Sequence, residues 1–200
     1  KTQSAMLEAM AEGQVTVGDH VYELPNPFLV VATQNPVEHH GAYPLPESQL
    51  DRFMMHLSIG YPSEDVQRQL LYSPDLPQYN LDNLKPKVSA SQLGGMRAGV
   101  GAVTLSQSVA DYLIQIVVGT RNHSDILLGC SPRGAISFAM AARARAYLLN
   151  RDFVLPEDVQ EMACFVLAHR LVLCGSGGGR ERSVTRAVID EIISRIPIPR

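Results

Sequence analysis

Three polar residues stand where the surrounding sequence gives them little structural reason to be, and each is of a type that handles phosphate. Asn35 follows an apolar run, Phe28-Leu29-Val30-Val31-Ala32, which with Thr33 reads as a strand over residues 28–33. In open α/β sheets ligands bind beyond the carboxyl ends of strands, and an amide there can orient a water or touch a phosphate oxygen. Arg52 lies late in a short helix, in the stretch Leu50-Asp51-Arg52-Phe53. From a domain edge its guanidinium can supply charge to a phosphate on a neighbouring subunit. Arg133, in Cys130-Ser131-Pro132-Arg133, falls in the first turn of a helix. A cation there opposes the partial positive charge of the helix end, by a few tenths to about 1 kcal/mol. A bound anion removes the conflict by using the free N–H groups and the guanidinium together.

Each residue also has a plainer explanation. Asn35 can cap a loop before Pro36. Arg52 can complement the negative end of its helix, and Arg133 can be a solvated surface charge. Taken together, an amide at a strand end and two arginines at helix ends form a phosphate-site pattern.

The elements that must carry these residues follow from spacing. Ala5, Met6, Ala9 and Met10 recur at helical spacing and stop at Gly13. Val15, Val17 and Val21 alternate around Gly18-Asp19, the pattern of a β-hairpin over residues 14–23. The unalternating run at 28–33 suits a central strand covered on both faces. A short helix begins near Glu47, and a second strand is expected over the stretch from Met54, closing at Pro62. Ser63 is a good N-cap for a helix that follows it. Residues 74–103 are rich in Pro and Gly and are expected mainly to connect. Four helical stretches then follow, beginning near Leu105, Pro132, Pro156 and Ser183, with Pro132 at the favoured first helical position. Strands over the first 60 residues and helices after them mark a domain boundary near residues 62–64. The fold class is α/β plus all-α, with units at 1–63 and 64–200.

The 200 residues are 46% hydrophobic, enough for a substantial core. The net charge of −3 gives no footprint for nucleic-acid binding. Cys130, Cys164 and Cys174 are an odd number with no CxxC pair, so neither a zinc site nor a disulfide framework is indicated, and a reduced, cytoplasmic setting is expected. The sequence holds no apolar run near 18 residues, which argues against a membrane span.

At these residues the chain resembles the MoxR family of AAA+ ATPases. The segments KTQSAMLEAMAEGQVTV, PFLVVATQNPVE, YPLPESQLDRF and CSPRGAISFAMAARARAYLLNRDFVLPEDV are similar to the family's signature segments and stand in the same order. LAHRLVL and IISRIPIPR resemble its C-terminal end, so the resemblance covers nearly the whole chain. It implies the C-terminal part of an AAA+ αβα nucleotide-binding domain followed by a helical lid. Asn35 then matches sensor 1, which positions the attacking water. Arg52 matches the arginine finger that reaches the ATP of the adjacent subunit, and Arg133 matches sensor 2, a lid contact to the γ-phosphate of the same subunit. The hairpin matches the insertion before sensor 1.

The resemblance further implies ATP and Mg2+ as cofactors of the full-length protein and a homo-oligomeric ring, expected to be a hexamer. Its chaperone-like role would lie in maturing or assembling other complexes, with von Willebrand A domain proteins among its clients. His39 and His40 depart from the family pattern; no other ligand joins them, and a solvated loop rather than a metal site is expected there.

One departure bears on activity. No GxxxxGK[ST] occurs among the 200 residues, so this stretch lacks the backbone cradle and lysine that hold ATP phosphates. The acidic pair expected to ligate Mg2+ would fall before Lys1. The chain therefore reads as the C-terminal portion of a longer ATPase, inactive alone. The alternatives are a non-catalytic helical interaction module and a chelatase-like or helicase-like ring ATPase; a P-loop and an Asp-Glu pair upstream would favour the ATPase of MoxR type.

Overall fold

The computed structural model describes residues 6, 9–10, 12–33, 46–75, 81–175 and 182–199. Asn35, His39 and His40 lie outside these residues, as does most of the glycine-rich stretch before Arg182. Met6, Ala9, Met10 and Glu12 are helical, and the helix ends at Gly13, as its spacing requires. The hairpin follows: β1 (Gln14–Val17) pairs antiparallel with β2 (His20–Glu23), Val17 opposite His20. Gly18, at φ +62, supplies the positive φ of the two-residue turn between them.

Two short helices come next, α1 (Glu47–Leu50) and α2 (Glu64–Tyr72), the second capped by Ser63. The lid proper is built from α3 (Ala90–Ala102), α4 (Gln107–Asn122), β3 (Ile126–Leu128), α5 (Pro132–Leu148), α6 (Pro156–Leu167), a 3-10 turn (Ala168–Arg170), β4 (Val172–Leu173) and α7 (Arg182–Arg195). Its core lies between α4, α5, α6 and α7. Val109, Tyr112, Leu113, Ile116, Val117 and Thr120 line one stripe of α4 at helical spacing. They meet Phe138, Ala142 and Ala146 of α5, Val159, Ala163, Val166 and Leu167 of α6, and Ile189 and Ile192 of α7. The alanines on facing stripes of α5 and α6 let the two backbones come close.

The structure corrects the sequence reading in three places. Residues 28–33 and 54–60 carry no strand. A strand exists only through a neighbour's ladder of hydrogen bonds, and among the described residues neither run has one. Leu29 and Val31 are exposed, and Ile59 is 99% exposed. The second correction is α3, which forms inside the stretch expected mainly to connect. Ser89 and Gln92 make a reciprocal capping box that starts it, a signal hidden by the four glycines that follow. One of those glycines lies against a neighbouring helix: a Cβ on Gly99 would lie 2.4 Å from the Tyr147 ring of α5, which would have to shift. Third, β3 and β4 form an antiparallel pair, Ile126 opposite Leu173 and Leu128 opposite Val172, too short to leave a periodic signal. No helix among the described residues is long and apolar enough to cross a membrane.

Candidate functional site

The β3–β4 pair sets up the site, because β3 leads into Cys130-Ser131 and β4 starts two residues after Arg170. At the end of α4, Thr120 Oγ1 accepts from Cys130 N at 3.0 Å and Arg121 Nε donates to Cys130 O at 2.9 Å. These bonds fix the chain just before α5. Ser131 is then the N-cap of α5, its Oγ accepting from Gly134 N at 3.0 Å, with Pro132 at the first helical position. The same hydroxyl donates to the Asp51 carboxylate, at 3.1 and 3.0 Å from its two oxygens. Asp51 is thus brought to the start of α5 from 80 residues away.

Arg170 completes the junction. Its side chain is 1% exposed, and Nε donates to Asp51 Oδ1 at 3.0 Å. Nη2 donates to the carbonyls of Asp51, at 3.1 Å, and Phe53, at 2.6 Å. Nη1 faces the carbonyls of Met54, at 3.2 Å, and Val166. It also lies 2.9 Å from His169 Nε2, a ring nitrogen that itself stands 3.0 Å from the Phe53 carbonyl. Every N–H of Arg170 therefore has an acceptor within the protein. Burial pulls the guanidinium below its usual range and the Asp51 carboxylate opposes that fall; arginine remains charged at any working pH.

Gly134 lies directly on this side chain. A Cβ there would stand 2.6 Å from Cys130 Sγ and 2.9 Å from Arg170 Cδ. Burial pushes the Cys130 thiol up to about 11, partly offset by Arg170, so it is no nucleophile at neutral pH.

Arg52 and Arg133 contrast with Arg170. Among the described residues neither side chain makes an ion pair, although Arg133 is exposed and Arg52 half-buried. Both guanidiniums are left available to a ligand, and Asp51 connects the segments that bear them. Asp51 also alters the reading of Arg133, because a carboxylate of the protein itself already lies at the α5 N-terminus. The helix-end conflict is therefore relieved in part from within, and an external anion is not required to explain it. The third expected site residue, Asn35, falls outside the described residues.

The sequence reading missed Arg170, although a signal was present: His169 and Arg170 interrupt the otherwise apolar stretch Val166 to Leu173. A buried charge demands a partner, but no spacing rule could name Asp51 as that partner.

For a nucleotide, the described residues offer Arg133 and Arg52 as phosphate contacts. Among them no group of three His, Cys, Asp or Glu side chains converges to hold a metal ion. Among the described residues the two guanidiniums thus fit a phosphate, and no ligand set for Mg2+ is present.

Comparison with known proteins defines the class. Residues 1–55 match the family model described as ATPase family associated with various cellular activities (AAA), and residues 118–194 match the AAA lid domain. A crystal structure of a protein assigned as an ATPase, from Cytophaga hutchinsonii, superposes with a TM-score of 0.82 at 38% identity, covering 99% of this chain and 62% of that one. The chain is the C-terminal part of an AAA+ nucleotide-binding domain followed by its helical lid.

The relatives narrow this further. YeaC of Bacillus subtilis (strain 168) is 43% identical over 199 residues, spanning all of this chain and 62% of the relative. Chaperone MoxR1 of Mycobacterium tuberculosis is 36% identical over 210 residues, spanning 54% of the relative. Protein MoxR of Paracoccus denitrificans is 28% identical over 219 residues. The chain belongs to the MoxR family of AAA+ ATPases and spans less than two thirds of the length of these relatives.

Proposed function

We propose that this chain carries the sensors, the arginine finger and the lid of an ATP-hydrolysing ring ATPase of MoxR type. In that reading the protein works as a chaperone-like factor that matures or assembles other protein complexes in the cytoplasm. One observation carries it: Arg52 and Arg133, both without an ion pair among the described residues, sit on segments joined through Asp51. Unpaired guanidiniums on a rigid support are what a phosphate site needs.

The roles follow from charge and position. Arg133 contacts the γ-phosphate of its own subunit from the start of α5, adding to the N–H groups of that helix end. Arg52 reaches the phosphate of the neighbouring subunit and offsets charge that builds in the transition state. Asn35 orients the attacking water. Mg2+, when bound, neutralises charge on the β- and γ-phosphates. A finger acting across an interface makes turnover depend on assembly, which favours a homo-oligomeric ring, here taken as a hexamer. Clients would be proteins, von Willebrand A domain proteins among them.

In the full-length protein, Arg52→Ala is expected to abolish turnover while leaving ATP binding within a few-fold of wild type. Steady-state ATPase assays and nucleotide titration check this, and surviving turnover would remove the finger assignment. The 200-residue chain, assayed at the same concentration, is expected to hydrolyse no ATP.

A further inference from the structure

We propose that Arg170 is a positioning residue that ties the finger segment to the lid, so that Arg52 and Arg133 move as one unit. The inference rests on the ATPase reading above. Arg52 is pinned from both sides, because the carbonyls immediately before and after it, those of Asp51 and Phe53, are both held by Arg170 Nη2. Arg133 is flanked in the same way. Ser131, two residues before it, donates to Asp51, and Gly134, immediately after it, lies against the Arg170 side chain with no room for a Cβ. One guanidinium and one carboxylate therefore set both ends of the unit.

The contacts are charge-assisted and Arg170 is buried, so the junction cannot slide gradually; it is either made or broken. A lid that shifts when Arg133 gains or loses a phosphate must carry residues 51–54 with it. The finger offered to the neighbouring subunit then reports the nucleotide state of its own. Coupling between phosphate sites runs through Arg170, which touches no nucleotide in this arrangement.

The test uses the full-length protein with Arg170→Lys, Asp51→Asn and the double variant. Lysine keeps the charge but cannot fork to two carbonyls, and asparagine keeps the shape of Asp51 without its charge. Readouts are kcat, the Kd of a fluorescent ADP analogue, the Hill coefficient for ATP and the Tm. Each single change is expected to lower kcat at least tenfold, to leave Kd within threefold, and to bring a Hill coefficient above one down toward one. The double variant is expected to be no worse than the weaker single. Asp51→Asn keeps the test alive if Arg170→Lys does not fold. Values of kcat within twofold of wild type for both singles overturn the proposal. So does a joint loss of kcat, nucleotide affinity and Tm, which would make Arg170 a fold-holding residue only. If Arg52→Ala itself leaves turnover intact, the finger reading fails instead, and that outcome is distinguishable from the others.

Discussion

Asp158 and Asp51 both pair with arginine, one within a single stretch of chain and the other across most of it. Asp158 is 2% exposed and is gripped at both oxygens by Arg151, at 2.7 and 2.6 Å. It also accepts from Leu155 N at 2.9 Å and lies 3.3 Å from Arg145. All of these partners lie within 13 residues of it, so the cluster folds with the α5–α6 turn and serves the lid alone. Asp51 is 25% exposed, and its arginine lies 119 residues away. The same pair of functional groups thus makes a local staple in one place and a joint between segments in the other. A staple holds neighbours along one stretch of chain, whereas a joint holds two distant segments at one spacing.

Stability measurements sharpen this contrast most. Asp158→Ala removes the acceptor of Leu155 N and the bidentate Arg151 contact together, and is expected to cost about 2–4 kcal/mol in urea unfolding of the 200-residue chain. Asp51→Ala leaves Arg170 its carbonyl partners and is expected to cost about 1–3 kcal/mol. Equal losses would erase the distinction between staple and joint.

The two regions should also fail at opposite ends of the pH scale. Burial works to raise the Asp158 carboxyl, but the Arg151 and Leu155 hydrogen bonds outweigh it and the pKa is lowered. Its contribution is therefore present above about pH 4 and lost as pH falls through the lowered value. At the joint, the Cys130 thiol is raised from 9.0 to about 11. That contribution is present below about pH 9 and lost as pH rises toward 11, by up to about 3 kcal/mol. Asp158→Asn should flatten the acid limb of a stability-against-pH curve, and Cys130→Ala the alkaline limb.

The smallest effects set the floor of the comparison. Ser131→Ala removes both the α5 cap and a donor to Asp51 and is expected to cost about 1 kcal/mol. Asp65→Ala breaks the exposed Arg68 pair and is expected to change stability by less than about 0.5 kcal/mol. Thermal melts of the two variants side by side check the ranking.

The sequence made the lid helices legible because each carries its own evidence. The stripe from Val109 to Thr120, the Ser131-Pro132 start and the Pro156 start all lie within a few turns of chain. The runs at 28–33 and 54–60 were read as strands from apolarity alone, yet a strand depends on a partner that no local pattern records. Helix α3 was hidden because glycine propensity points away from a helix, while the reason for Gly99 lies in Tyr147, 48 residues on. The site divides in the same way. Arg52 and Arg133 could be picked out by their places at helix ends, whereas the charge at Arg170 stands out in an apolar stretch but its partner Asp51 is visible only in the fold.

The 119-residue separation of Asp51 and Arg170 also bears on how the protein is made. A ribosome releases Asp51 first and then adds helices α4 to α6 of the lid core before Arg170 exists. At about 5–20 residues per second that interval is roughly 6 to 24 s. Through it the segment around Arg52 lacks its Arg170 anchor, and helices α4 to α6 are synthesised in the meantime. The joint therefore closes only once most of the lid has been made, on a surface the lid has just built.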